Sequence, residues 1–208
     1  MRKIEKQHVT GLFSIIKSPI EGFDEMRYHG NGSLELATLM YLLFFFAVLA
    51  NRQWTGYLFN HAHVERLNIF NMMALSLGLV VLWIISNMAV CTLSDGEGSL
   101  SDVYVTTAYA LLPFLLLTPP IIILSNMMSL GESAYFVLMN IVKFGWTAVL
   151  LFTGNMSAHQ FTFKKTMFTS FLTVAGILII LFMMFLGFAL VTQLYEFLRT
   201  LYNEILFM

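Results

Sequence analysis

The feature that most constrains this chain is a series of long apolar runs, each close to the length that crosses a lipid bilayer. A bilayer core of about 30 Å requires roughly 20 consecutive, mostly apolar residues of α-helix. Inside hydrocarbon a helix satisfies its own backbone hydrogen bonds, so each run is expected to be helical. Five runs meet this description: Leu34 to Ala50, Ile69 to Leu93, Val103 to Leu124, Tyr135 to Ser157 and Phe168 to Leu194. The sequence therefore predicts an all-α integral membrane protein with five transmembrane helices.

Composition favours the same class and excludes others. Of the 208 residues, 58% are apolar and 11% are charged, and the mean hydropathy is +0.78. An ordinary globular domain carries about 25% charged residues. The net charge of −1 offers no basic surface for nucleic acid, and no glycine-rich nucleotide loop is found. The one cysteine, Cys91, excludes an intramolecular disulfide and is expected to be a buried thiol.

Positively charged residues orient the predicted spans, because loops that remain in the cytoplasm are enriched in Lys and Arg. With the N-terminus inside, seven basic residues are cytoplasmic and three are external. The cytoplasmic set is Arg2, Lys3, Lys6, Lys17, Arg27, Lys164 and Lys165, and the external set is Arg52, Arg66 and Arg199. We therefore expect a plasma-membrane protein with a cytoplasmic leader (1–33), a membrane domain (34–194) and an external tail (195–208).

The leader contains a short helix candidate. Apolar and charged residues are interspersed in SPIEGFDEMRY, and Pro19 favours the first turn of a helix. An amphipathic helix at the membrane interface is predicted there, and Gly30 and Gly32 are expected to end it before the first span. The long charged leader before Leu34 also argues against a cleavable signal peptide.

Two histidines, His61 and His63, lie in the longest polar loop and raise the possibility of a metal site. Two ligands separated by one residue reach a common ion in an extended segment. No cysteine or acidic cluster completes such a site. We therefore expect no metal and no cofactor.

A dense polar turn, Ser94 to Ser99, separates the second and third runs. Gly96 and Gly98 permit a tight reversal, and Ser99 with Asp102 three residues later forms an approximate capping box for the next helix. The carboxylates of Asp95 and Glu97 lack the ligand spacing of a calcium loop. The turn is thus predicted to be a structural hinge, and Asp95 and Glu97 remain candidates for docking a cytoplasmic partner.

The fourth run carries polar and small residues on one helical side: Asn140, Lys143, Thr147 and Gly154. A lysine within a span costs about 2.5–3.5 kcal/mol on insertion scales. One interpretation is an interhelical polar site or a charge that faces a partner, with Asn140, Lys143 and Thr147 as binding residues. The other is a lysine whose ammonium extends toward the headgroups. The sequence leaves both open.

The third run contains three prolines, Pro113, Pro119 and Pro120. Each removes a backbone donor and is expected to bend or end the helix. Broken helices occur at transporter sites, but no internal repeat is found and five spans do not divide evenly. A structural kink, or early termination shielded by protein, is the favoured interpretation.

The polar turn, the leader and the last span each resemble parts of a known family. The stretch DGEGSLSDVYVTTAYALLPF (95–114) looks like the central signature of bacterial members of the Yip-domain family, which is named for proteins that interact with Rab-type GTPases in eukaryotes. IIKSPIEGFDEMRY (15–28) resembles its Pro-x₃-Phe motif, and HQFTFKKTMFTSFLTVAGILIILFMMFL (159–186) resembles its last loop and final span. The likeness covers nearly the whole chain.

The resemblance implies a noncatalytic role. Eukaryotic members are similar to adaptors, and bacterial members resemble accessory membrane proteins that often accompany carbohydrate ABC importers. The first hypothesis is therefore an accessory or assembly subunit whose partners are other integral membrane proteins, with ABC importer permeases as candidates. A small transporter or channel subunit is the alternative. An intramembrane enzyme is not favoured, because the histidines are expected in the leader and loops and pair with no serine. A homo-oligomer is compatible with either hypothesis.

Overall fold

In the computed structural model of the chain, residues 15–28, 32–60 and 68–206 are described. Within these ranges the regular structure is helical. The helices are α1 (Pro19–Tyr28), α2 (Leu34–Trp54), α3 (Ile69–Leu93), α4 (Leu100–Ala110), α5 (Leu112–Met127), α6 (Ser133–His159) and α7 (Phe163–Leu206), with a short 3-10 turn at Leu130–Glu132. Five segments of the described chain are long and apolar enough to cross a membrane. The predicted fold class is confirmed.

The bounds of the spans follow the sequence signals closely, with one exception. The second span, α3, has the predicted bounds, and Asn68 caps it by accepting a hydrogen bond from the Asn71 backbone at 3.2 Å. The exception is α7, which extends past both predicted ends of the fifth span. It continues as one helix to Leu206, so most of the predicted tail is helical.

The third span consists of two helices, α4 and α5, separated at Leu111. The break precedes Pro113, which lies in the first turn of α5, where a missing N–H is tolerated. Pro119 and Pro120 lie inside α5, which continues to Met127, so early termination at these two prolines is not found. Beside them, Thr118 donates to the Phe114 carbonyl at 2.6 Å. Neighbouring helices and hydroxyl side chains make such prolines tolerable within a span.

The third span is the centre of the bundle. Helix α4 packs against α6, α2 and α3, and α5 packs against α6 and α2. In the most apolar 18-residue window of this span, 61% of the residues are buried. The corresponding share is 0% for α7, which packs mainly on α3. A membrane protein interior is thus built around the span that carries the prolines.

The leader helix α1 packs against the end of α6 that faces the predicted cytoplasm. Phe23 is fully buried, and a Cβ added at Gly154 of α6 would lie 3.2 Å from its ring. The helix begins at Pro19, as its sequence signal indicates. Its position at the lipid interface stays a prediction.

Candidate functional site

A buried polar network joins α3, α6 and α7 near the ends that face the predicted cytoplasm. Asn87 Nδ2 donates to Asn155 Oδ1 at 3.1 Å and to Thr173 Oγ1 at 3.4 Å. His159 Nε2 lies 3.2 Å from Asn87 Oδ1. None of these four side chains is more than 5% exposed. Because a buried polar group without a partner is costly, the network restricts how the three spans pack.

The polar turn between the second and third spans lies directly over this network. A Cβ added at Gly96 would lie 2.7 Å from His159 Nδ1, and one added at Gly98 would lie 2.8 Å from the same atom. On its other side the His159 ring stacks on Phe161, with centroids 5.5 Å apart. The two glycines are therefore required because a side chain at either position would collide with buried His159. This requirement adds to the conformational freedom that a tight turn needs.

The protonation pattern of His159 follows from its partners. With Nε2 donating to Asn87 Oδ1, a neutral ring carries no proton on Nδ1. No hydrogen-bond partner for Nδ1 is found among the described residues. The sequence interpretation had placed the histidines in the leader and loops. His159 is instead the last residue of α6 and is 1% exposed, because α6 extends two residues past the predicted end at Ser157.

The local geometry of the turn combines one strained residue with a strong helix start. Asp95 has a φ of 55°, in the left-handed region where Asp is one of the more tolerant residues. Ser99 Oγ accepts from the Asp102 backbone at 3.3 Å, and the Ser99 backbone donates to Asp102 Oδ2 at 2.9 Å. This reciprocal pair is a capping box at the start of α4.

Arg27 connects the leader helix, α6 and the turn. Its Nη1 donates to the carbonyls of Ser157 and Ala158 at 2.8 and 2.9 Å. A cation at this position also favours the C-terminal end of a helix electrostatically. Arg27 Nη2 lies 3.6 Å from the carboxylate of Glu97, whose side chain is 70% exposed. Glu97 is thus exposed at the surface, while Gly96 and Gly98 of the same turn pack on His159.

A cavity of about 240 Å³ lies beside Arg27, between α1, α2, α4 and α6. Its lining is mixed: Arg27 and Asp102 are charged, and Met26, Leu34 and Val105 are apolar. The Asp102 carboxylate accepts from Ser99 in the capping box. The cavity could therefore accept a small group with both polar and apolar parts.

Lys143 lies inside the bundle, away from this end. It is 0% exposed, and its ammonium lies 4.8 Å from the Phe114 ring centroid and 5.0 Å from that of Phe144. Ring faces attract a cation by about 0.5–2 kcal/mol. The ammonium therefore does not extend to the headgroups, and of the two interpretations the interhelical position agrees with the structure.

The rest of the polar stripe on α6 also faces the interior. Thr147 is 7% exposed and donates to the Lys143 carbonyl at 2.8 Å. Asn140 is partly buried and donates to the Phe136 carbonyl at 2.9 Å. Lys143 is fully buried in this arrangement of the helices, and a role in partner binding for Asn140, Lys143 and Thr147 stays a prediction.

The described residues contain no group of three or more His, Cys, Asp or Glu side chains that could hold a metal ion. Asp95 and Glu97 are both exposed and belong to one short turn. His61 and His63 lie outside the described residues. Cys91 is fully buried beside the polar network, with Sγ 3.8 Å from Asn155 Oδ1.

Sequence reasoning identified the turn but missed Asn155, His159 and Arg27 as members of one site. A signal was present for part of it. Asn155 and His159 are four residues apart and share a helical face. Thr166, Thr169 and Thr173 have spacings of three and four, and all three are fully buried. Arg27 contacts Ser157 and Ala158, which are 130 and 131 positions further along the chain. This contact is created by the fold and has no local sequence signal.

Spanning helices, a packed interior and a polar network that joins three spans define a multi-span helical membrane protein. A family model, that of the Yip1 domain, matches residues 13–196. The chain therefore belongs to the Yip1 domain family, and the resemblance found in its motifs is confirmed at the level of the family. No curated protein and no solved structure matches the chain.

Proposed function

We propose that this chain is a noncatalytic accessory or assembly subunit of a larger membrane complex, and that its cytoplasmic acidic turn is a docking surface. The observation that carries the proposal is the construction of the turn. Gly96 and Gly98 pack on buried His159, while Asp95 and Glu97 are exposed. Exposed carboxylates on a fixed backbone favour a partner with a basic segment, because little conformational freedom is lost on binding.

The proposed partners are integral membrane proteins, and the family resemblance makes the permease subunits of a carbohydrate ABC importer the first class to test. The experiment is purification of the tagged chain from native membranes in mild detergent, with identification of the chains that accompany it. We expect a permease subunit in stoichiometric amount. Recovery of the chain alone, after cross-linking in intact membranes, would contradict the proposal.

A matched pair of variants tests the turn itself. The double change Asp95→Asn with Glu97→Gln removes two exposed charges and should reduce recovery of the partner several-fold at low salt. Glu196→Gln removes an exposed charge on α7, near the opposite end of the bundle, and should leave recovery unchanged. Equal recovery with all three chains would mean that the turn is not the docking surface.

The orientation that this proposal needs is a cytoplasmic N-terminus in the plasma membrane. Leu93 and Tyr57 are 87% and 84% exposed and lie at opposite ends of the bundle. In a Cys91→Ser background, an impermeant thiol reagent should label Tyr57→Cys in intact cells and Leu93→Cys only after permeabilisation. Labelling of Leu93→Cys in intact cells would reverse the orientation.

The alternative is a small transporter or channel subunit. The cavity beside Arg27 is the observation that favours it, because a cavity with both polar and apolar lining near the ends of the spans can receive a small solute. Solute flux into liposomes that contain this chain alone would support the alternative. Flux that requires the permease partner would support the accessory role.

A further inference from the structure

The last helix extends well beyond the helix on which it packs. Helices α3 and α7 are antiparallel, and Ser86 Oγ donates to the Thr173 carbonyl at 2.7 Å. Ile69, at the start of α3, lies seventeen residues before Ser86, and Leu190 lies seventeen residues after Thr173. Because both helices have the same rise per residue, Ile69 and Leu190 lie at the same level. The sixteen residues from there to Leu206 therefore project past α3 by about 24 Å, at roughly 1.5 Å per residue. Every residue of this projecting segment (191–206) is exposed.

The projecting segment has a heptad pattern. Its apolar seam, with spacings of three and four, consists of Val191, Leu194, Leu198, Leu201 and Ile205. Of the polar residues, Thr192, Gln193, Glu196, Arg199, Thr200 and Asn203 occupy positions b, c and f, away from this seam, and Glu204 occupies position g, beside it. Such a division is typical of a helix that packs along a coiled coil. The division is informative here because the segment projects beyond α3, whereas the faces of a span that contact lipid are all expected to be apolar.

The residue types in the seam favour a pair of parallel helices. In this register position a is occupied by Val191, Leu198 and Ile205, and position d by Leu194 and Leu201. Two of the three residues at position a are therefore β-branched. β-Branched residues at a with leucine at d favour two strands. The register continues into the span through Gly187, where an added Cβ would meet nothing within 4 Å. The seam is thus open to a second helix both in and beyond the membrane.

We propose that the seam is a homodimer interface, in which α7 pairs in parallel with α7 of a second copy of this chain. Two copies inserted in one membrane have the same orientation and depth, so identical residues of the seam meet without any shift in register. Positions a, d and e of the projecting segment carry no charge, and position g carries one, Glu204, so a second copy meets no like charge in the a and d core of the seam. A lipid surface would cover the apolar side only if the helix bent near Val191, and α7 is continuous through that residue. The interface involves none of the acidic turn and is independent of the proposed docking role.

Site-specific cross-linking in native membranes tests the interface. Single cysteines in a Cys91→Ser background are placed at Leu194 and Leu201 on the seam, and at Glu196 and Asn203 on the opposite side. Mild oxidation should give a species of twice the chain mass for Leu194→Cys and Leu201→Cys and little for the other two. Equal yields at all four positions, no product at any, or a product with a chain of different mass would each overturn the proposal.

A second measurement does not depend on cysteine chemistry. The purified chain in nanodiscs should contain two copies. Leu201→Glu places a charge in the seam and should convert the protein to single copies, whereas Asn203→Glu, two residues away, should leave pairs intact. Both variants lie in the projecting segment, so membrane insertion and the packed core should be unaffected in each. Single copies of the unmodified chain would contradict the proposal.

Discussion

The third and fifth spans are both strongly apolar, yet the third lies at the centre of the bundle and the fifth at its periphery. The mean hydropathy of the most apolar 18-residue window is 2.0 in the third span and 2.9 in α7, whereas 61% of the residues of that window are buried in the third span and none in α7. Hydropathy therefore identifies a span but does not show where it lies. In this chain the less apolar span is the central one.

The reason is physical. Lipid tails are as apolar as leucine side chains, so apolar content does not draw a helix to the centre of a membrane protein. Small residues and hydroxyl groups do, because they allow close approach and hydrogen bonds between helices. Ala108, Ala110, Thr106 and Thr107 of α4 are all buried. In α7 the buried polar residues are limited to its first turns, where it contacts α3 and α6.

The largest expected difference is between the same substitution, alanine to leucine, in the third span and in α7. Ala108 of α4 is 0% exposed, and Ala108→Leu inserts three carbons into a packed interior. We expect a loss of about 3 kcal/mol of stability, measured as a lower thermal midpoint in detergent and a lower folded yield. Ala189→Leu in α7, at a partly exposed position away from the seam, should change the midpoint little. Equal losses would show that α7 is covered as tightly as α4.

The five spans could be predicted from the sequence because each apolar run specifies its own helix. The turn was also predictable, since Ser99 and Asp102 form their cap within four residues. What the sequence did not reveal was which side chains meet across helices. An asparagine within a span, such as Asn87, needs hydrogen-bond partners, but its pairing with Asn155 is set by the packing of α3 on α6. Likewise the stripe containing Lys143 was visible, but its inward direction was not.

The next comparison concerns Gly96, which packs on buried His159, and Gly145, which lies on an open face of α6. Gly96→Val brings a side chain within 2.7 Å of His159 Nδ1, whereas an added Cβ at Gly145 of α6 meets nothing within 4 Å. We expect Gly96→Val to cost about 2 kcal/mol, and Gly145→Val and Glu97→Gln to cost about 0.5 kcal/mol or less. Thermal midpoints of the three purified variants provide the measurement. A tight, stoichiometric divalent-ion affinity that Glu97→Gln abolishes would show instead that the turn is a metal site.

The smallest expected effect separates an anchored arginine from a solvated one. Arg27 is 21% exposed and donates to two carbonyls at the end of α6, whereas Arg199 lies on the exposed surface of α7. Arg27→Met retains the length of the side chain but leaves those carbonyls without their donor, so we expect a loss of about 1 kcal/mol. The loss should be local, because α1 is attached to the bundle through Arg27, Phe23 and the Asp24–Ser157 hydrogen bond. Amide hydrogen exchange should therefore accelerate in residues 19–28 and stay unchanged in α4, while Arg199→Met changes neither. Unchanged exchange in α1 would mean that Phe23 and the Asp24–Ser157 hydrogen bond fix the leader helix without Arg27.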